Sequence, residues 1–336
     1  MSKHVLVATL LLISASTVSG GPLPIIDMHL HATKVDAQGP PPVAICAPYP
    51  SWPVHDPREP AESYAMRFLK EPPCEKPFWS PLTDEALMKE SIAALERRNV
   101  FAVASGPIDI VKKWQKASQR ILPAVEFALA PDAMSADQLR KVLEKKEIVV
   151  FGEVVNQYFG IAPDDPRFAP YLALLEEYDV PLAIHLGPGP PGSPLLTPFF
   201  KDYTAALHNP MTLEPLLRKY PKLRVYAMHA GWPMIDEMIA LLYTYPRLYV
   251  DIGILAYAYP VAEFHRYLER LVSAGFGKRI LYGSDQMVWP QAIAASIDRV
   301  EAAPFLTTGQ KRDILYNNAA RFLRLSDAEI AKHHGK

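Results

Sequence analysis

Leu23-Pro24-Ile25-Ile26-Asp27-Met28-His29-Leu30-His31 is an apolar run closed by two histidines. The run reads as a buried strand with His29 and His31 at its exit, and side chains two apart in a strand share a face. Both imidazoles can therefore reach one metal ion. Asp27, beside Met28, reads as pointing away from any ligand on the His29 face. Two histidines alone decide little; their weight comes from what stands at the ends of the later apolar runs.

Past Pro81 the chain alternates between helical and extended patterns. Thr83 is placed to cap a helix running to about Arg98, with Leu87, Ile92 and Leu95 on one face. Strands are expected over 100–105, 121–129, 148–155, 181–185, 223–228, 248–252 and 279–282. Helices are expected between them, over 107–118, from the capping box at Ser135 and Gln138, and over 171–178, 212–220, 235–245, 261–274 and 290–302. A further C-terminal helix spans 308–325. Eight strands separated by helices predict a parallel sheet closed as a (β/α)8 TIM barrel, with an open doubly wound sheet as the alternative. No strand is followed by a Gly-rich or lysine phosphate-binding motif, so nucleotide binding has no support.

The 336 residues suit such a barrel with one long insertion. Residues 1–20 carry Lys3, a nine-residue apolar core from Val5 to Ile13, and small residues at Val18-Ser19-Gly20, the layout of a cleaved signal peptide. A buried first strand is the alternative. The core is too short to span a bilayer, which takes about 20 residues, so the mature chain is expected to be periplasmic or secreted, with no stable membrane insertion. The barrel then occupies 21–325 and a tail 326–336. With a formal charge of −1 and a pI near 6.8, the chain offers no basic surface for nucleic acid.

Of the 34 prolines, twelve fall between Pro40 and Pro81. Each removes a donor and fixes φ, so 39–82 reads as a long irregular loop after the first strand, forming a wall or lid over the site. Trp52, Phe78 and Trp79 help to pin it. Both cysteines, Cys46 and Cys74, lie inside it. Export permits a bridge between them worth about 3–4 kcal/mol in the chain-entropy model, with two buried thiols as the alternative.

In a parallel barrel, chemistry gathers at the carboxyl ends of strands. Those ends present His29 and His31, then Glu153, His185, His229 and Asp285, and this set is the expected metal site. A carboxylate ending a run as apolar as Val149-Val150-Phe151-Gly152 needs a partner, and Asp285 after Ile280-Leu281-Tyr282-Gly283-Ser284 is the same case. Asp251 is a weaker candidate, as a partner that orients a ligand histidine. His4, His55, His208, His265, His333 and His334 read as surface or packing residues. Imidazoles and carboxylates suit a divalent metal, zinc foremost, at one or two ions per chain. Such an ion lowers the pKa of a bound water toward about 7. Asp285 is the expected proton carrier and His229 a second catalytic candidate.

The His29-Leu30-His31 pair, the histidines His185 and His229, and the Gly283-Ser284-Asp285 motif together resemble the amidohydrolase superfamily, in its amidohydrolase-related branch of TIM-barrel hydrolases and decarboxylases. The resemblance runs from about Leu23 to Leu325 and includes Ile314-Leu315-Tyr316-Asn317-Asn318-Ala319-Ala320-Arg321-Phe322-Leu323. It implies that His29, His31 and Asp285 hold one metal. His185 and His229 then either hold a second or divide into a ligand and a catalytic group. Glu153 resembles the glutamate that bridges two metals in some hydrolytic members.

The expected activity is an exported metal-dependent hydrolase cleaving a C–O or C–N bond in a lactone, ester or amide by metal-activated hydroxide. Non-oxidative decarboxylation is the alternative, and a non-catalytic binding barrel a third reading. Substrate contacts are placed at Asn156, Tyr158, Trp232 and Trp289, with Gln157 and Met287 nearby. The partner is a small molecule, and a homo-oligomer is left open.

Overall fold

The computed structural model describes residues 21–196 and 200–336, so the expected signal segment lies outside the described residues. In chain order the strands are β1 (Ile25–His31), β2 (Ala44–Ile45), β3 (Phe78–Trp79), β4 (Val100–Ser105), β5 (Ile121–Phe127), β6 (Val150–Val154), β7 (Leu182–His185), β8 (Val225–Met228), β9 (Leu248–Asp251) and β10 (Ile280–Leu281). Eight of them form one parallel sheet in the order β1-β4-β5-β6-β7-β8-β9-β10, while β2 and β3 form a separate antiparallel pair. Met28 N donates to Tyr282 O at 2.8 Å and Asp285 N to His29 O at 2.7 Å, joining the exit of β10 back to β1. These bonds close the TIM barrel and exclude the open sheet.

Side-chain alternation divides the core in two. Ile26, Met28, Val103, Ala124, Val150, Ala183, Tyr226, Met228 and Leu281 point inward, and Tyr316, Ala319 and Phe322 from the C-terminal segment join this inner cluster. Ile25, Leu30, Ala102, Val125, Phe151 and Ile184 point outward under the helices. Helix starts follow the expected chemistry. Thr83 Oγ1 accepts from Ala86 N at 3.2 Å, and Ser135 with Gln138 forms a capping box.

Two expectations are corrected. The insertion is not irregular throughout: Ala61–Lys70 is a helix, and β2 and β3 frame it. Its prolines bracket that helix at Pro60 and Pro72 without entering it, so no interior amide is lost. The tail also folds: Asp327–His333 is a helix capped by Ser326, and the buried His333 ring stacks on Phe101 with centroids 3.7 Å apart.

Cys46 and Cys74 form the disulfide, which ties β2 to the segment after the inserted helix and rules out two free thiols. Trp289 Nε1 donates to Val43 O at 3.0 Å and seats the insertion on the barrel rim. Among the described residues, no helix is long and apolar enough to cross a membrane.

Candidate metal centre

Two of the strands deliver candidate ligands by breaking their own alternation. Ile26 and Met28 face inward and Leu30 outward, so an uninterrupted β1 would turn His29 outward as well. The pairing of β1 with β4 shifts register between Asp27 and Leu30, and past this bulge His29 and His31 both face the barrel axis. The pairing of β6 with β7 shifts in the same way between Phe151 and Val154, which brings Glu153 inward. Gly152 makes this possible: its φ is +147°, and a Cβ there would lie 2.4 Å from Ala183 O. His185 arrives by plain alternation from Ala183. His229 and Asp285 stand just past β8 and at the exit of β10 with φ of +57° and +50°, a cost that non-glycine residues bear mainly at functional sites.

Six side chains meet in two groups that share Glu153. In the first, His31 Nε2 lies 3.0 Å from Asp285 Oδ1, and His29 Nε2 lies 3.5 Å from the same oxygen. Glu153 Oε2 is 3.6 Å from His29 Nε2 and 3.5 Å from His31 Nε2. In the second group, Glu153 Oε1 is 2.7 Å from His185 Nδ1 and 3.6 Å from His229 Nε2, and these two nitrogens are 3.0 Å apart. Each group has the compactness of a metal-binding triad.

Three of the imidazoles are aimed from behind. His29 Nδ1 donates to Asp251 Oδ2 at 3.0 Å, His185 Nε2 to Gly187 O at 3.0 Å, and His229 Nδ1 to Gly253 O at 3.0 Å. Their other nitrogens are left facing the centre as lone pairs, the tautomers a metal requires. His29 Nε2 is buried with no hydrogen-bond partner at all. An orphaned inward nitrogen and two imidazole nitrogens 3.0 Å apart fit a divalent cation between them. Asp251 Oδ1 also accepts from His229 N and Gly253 N at 2.9 Å, so one carboxylate fixes ligands from two strands. Asp27 stands outside both groups, its Oδ1 taking the amides of His29 and Ser284 at 2.9 Å.

Burial opposes every charge in this centre. It acts to raise Glu153, but the polar contacts with His185, His229 and His29 hold the carboxyl well below its ordinary value. Asp285 resists burial in the same way and sits at about 2, through the charge of His29 and the hydrogen bond from His31. Burial acts to lower His29, and the charges of Asp285 and Asp251 push it well up instead. His185 is lowered by burial and by His229. Two ionised carboxylates beside buried imidazoles make a strong cation site.

The centre forms the floor of a cavity of about 1140 Å³. Tyr158, Trp232, Met287 and Trp289 line it, together with Trp52 and Tyr259. The insertion supplies one wall through Tyr49, Trp52 and the helix Ala61–Lys70. Asn156 is a correction: it is buried away from the cavity because the turn after β6 swings its Oδ1 onto Leu129 N at 2.8 Å. Gln157 is likewise spent on His185 O at 2.8 Å.

Glu126 on β5 was not foreseen, although it lines the cavity. The signal was present, since a carboxylate in Ala124-Val125-Glu126-Phe127 is as conspicuous as Glu153 in its own run. The Glu126 side chain is exposed to the cavity, whose surrounding walls desolvate the carboxyl and raise it, and His31 draws it back. Ser105, whose Oγ accepts from Glu153 N at 2.6 Å, was also missed, because a serine in a strand carries no signal.

The family model described as amidohydrolase matches residues 26–325. No curated protein matches the chain. Among solved structures, 5-carboxyvanillate decarboxylase from Sphingomonas paucimobilis is similar at a TM-score of 0.55 and 16% identity, covering 90% of this chain and 100% of its own. A probable 2-pyrone-4,6-dicarboxylic acid hydrolase from Acinetobacter baumannii is similar at 0.52 and 13%, covering 90% and 100%. 4-Oxalomesaconate hydratase from Rhodopseudomonas palustris stands at 0.52 and 15%, covering 93% and 98%. At such identities the likeness is one of fold.

Proposed function

The chain belongs to the amidohydrolase family, and we propose that it is an exported hydrolase that cleaves a lactone, ester or amide at a two-metal centre. The observation that carries this reading is Glu153, whose Oε2 faces His29 and His31 while its Oε1 faces His185 and His229. A carboxylate presenting one oxygen to each of two ligand groups is suited to bridge two cations. When bound, divalent ions, zinc foremost for this donor set, supply Lewis acidity and water of lowered pKa.

The chain's own residues do the rest. His29, His31 and Asp285 would hold one metal, His185 and His229 a second, and Glu153 would serve both. Asp285 Oδ1 is engaged by His31 at 3.0 Å, whereas Oδ2 has only His229 Nδ1 near it, at 3.8 Å. Oδ2 takes the proton of the attacking water and returns it to the leaving oxygen or nitrogen. Tyr158, Trp232 and Trp289 shape an aromatic wall around the substrate and shed water from it. The Cys46–Cys74 bridge supports an oxidising compartment, in keeping with a signal peptide over residues 1–20.

Metal analysis of the purified protein, paired with a panel of lactones, esters and amides, tests the reading. Two ions per chain and turnover on the panel are expected. Asp285→Asn should cut kcat about 10²–10⁴-fold, the usual weight of a proton carrier. One ion per chain, retained in Glu153→Gln, would instead support decarboxylation. Failure to take up any divalent metal would overturn both.

A further inference from the structure

Two carboxylates in the cavity belong to neither ligand group: Glu62, in the first turn of the inserted helix, and Glu126, on a barrel strand at the mouth. On β5, Val125 and Phe127 turn to the outer core and Ala124 to the inner one, so Glu126 follows Ala124 and opens into the barrel mouth. Its side chain is exposed there, although it stands on a strand in the middle of the closed sheet. Among the described residues it enters no hydrogen bond or ion pair through its carboxylate, in contrast to Glu153 and Asp285. The same cavity has Tyr49, Trp52, Tyr158, Trp232, Tyr259 and Trp289 in its walls. Its one lining lysine, Lys70, is engaged: Nζ donates to Pro42 O at 2.6 Å and to Pro40 O. No arginine lines it among the described residues.

We infer that Glu126 is a specificity-determining residue, and that the pocket takes an aromatic substrate bearing a protonated amine while disfavouring one with a carboxylate at that position. The inference rests on the reading of this cavity as the substrate pocket of a hydrolase. An ammonium group directed at Glu126 forms a charge-assisted hydrogen bond with a carboxylate that has no other partner. Aromatic faces add attraction for the same cation. A carboxylate placed there would meet Glu126 as a like charge, with no free cationic side chain to offset it. The metal centre draws anions to the cavity floor, so charge selection has to come from the wall, where Glu126 stands.

Three matched benzamides carrying a para aminomethyl, methyl or carboxylate group serve as probes, with binding read from tryptophan fluorescence at pH 8. They are titrated into wild type and Glu126→Gln, metal-loaded and metal-free. Wild type should bind the aminomethyl probe tighter than the carboxylate probe, and Glu126→Gln should shrink that affinity ratio about tenfold in both metal states. If Glu126→Gln does not fold by circular dichroism, the wild-type ratio itself should shrink as salt rises from 0.05 to 0.5 M. An unchanged ratio in a folded variant, a salt-independent ratio where the variant fails to fold, a wild-type preference for the carboxylate, or no binding of any probe overturns the inference. The matching methyl esters separate the two readings. Charge-selective binding without hydrolysis defeats the hydrolase alone, and hydrolysis indifferent to the para charge defeats Glu126 alone.

Discussion

Asp251 shows how much of the centre depends on a buried residue that does not line the cavity. Its two oxygens take the His29 ring, the His229 amide and the Gly253 amide, and a Cβ on Gly253 would press within 2.6 Å of His29 Nδ1. Asp251→Asn keeps an acceptor for the ring but loses the charge that makes His29 a stronger ligand. Metal affinity should fall about 10–100-fold, measured by competition with a chromophoric chelator. An unchanged affinity would reduce Asp251 to packing.

At this scale the sequence was most legible where polarity contradicts context: His29, His31, Glu153, His185, His229 and Asp285 each interrupt or end an apolar run, and the structure brings them together. Ser105 and Gln286 were not legible. Gln286 clasps the His31 backbone, accepting from His31 N at 2.8 Å and donating to His31 O at 2.7 Å, yet a glutamine past a strand looks like any loop residue.

Among elements, the strands read well because a parallel barrel buries both their faces and leaves unbroken apolar runs. The bulges in β1 and β6 could not be read, since register is a property of the neighbouring strand. The helix Ala61–Lys70 is masked in the sequence by the density of prolines around it, although their spacing leaves 61–71 free of them. That helix and β2 are joined into one cavity wall through the Cys46–Cys74 bridge, across a sequence separation of 28 residues. Removing it with Cys46→Ser and Cys74→Ser should cost about 3 kcal/mol in urea unfolding, read as a lower midpoint. Proteolysis should also begin within residues 39–82. A variant as stable and as protease-resistant as wild type would show that Lys70 and Trp289 hold the wall unaided.

The molecule as a whole has two ends with opposite electrostatic demands. The mouth gathers carboxylates and imidazoles, whereas the other end is packed with aromatic rings: Tyr316 and Phe322 enter the inner core, and the helix Asp327–His333 lays His333 between Phe101 and Tyr316. Tyr316 Oη and His333 Nδ1 are 3.1 Å apart. Burial pushes the His333 imidazole down to about 4, against about 6.5 in an unfolded chain. Between those values the unfolded state takes up a proton that the folded state refuses, so stability falls as pH drops through that window and is indifferent to His333 above it. His208, pushed down to about 3 by burial and by His185 and His229, adds a dependence of the same sign. The imidazoles and carboxylates at the mouth titrate as well, so the His333 share is read from a variant against wild type. His333→Phe keeps a ring against Phe101 and removes this proton together with the pH-independent hydrogen bond to Tyr316 Oη. Unfolding midpoints of both proteins at pH 7, 6 and 5 should draw closer as the pH falls, with the stability difference shifting by about 1 kcal/mol toward the variant. Parallel profiles would mean that His333 is protonated in place, and that burial between Phe101 and Tyr316 does not hold it neutral.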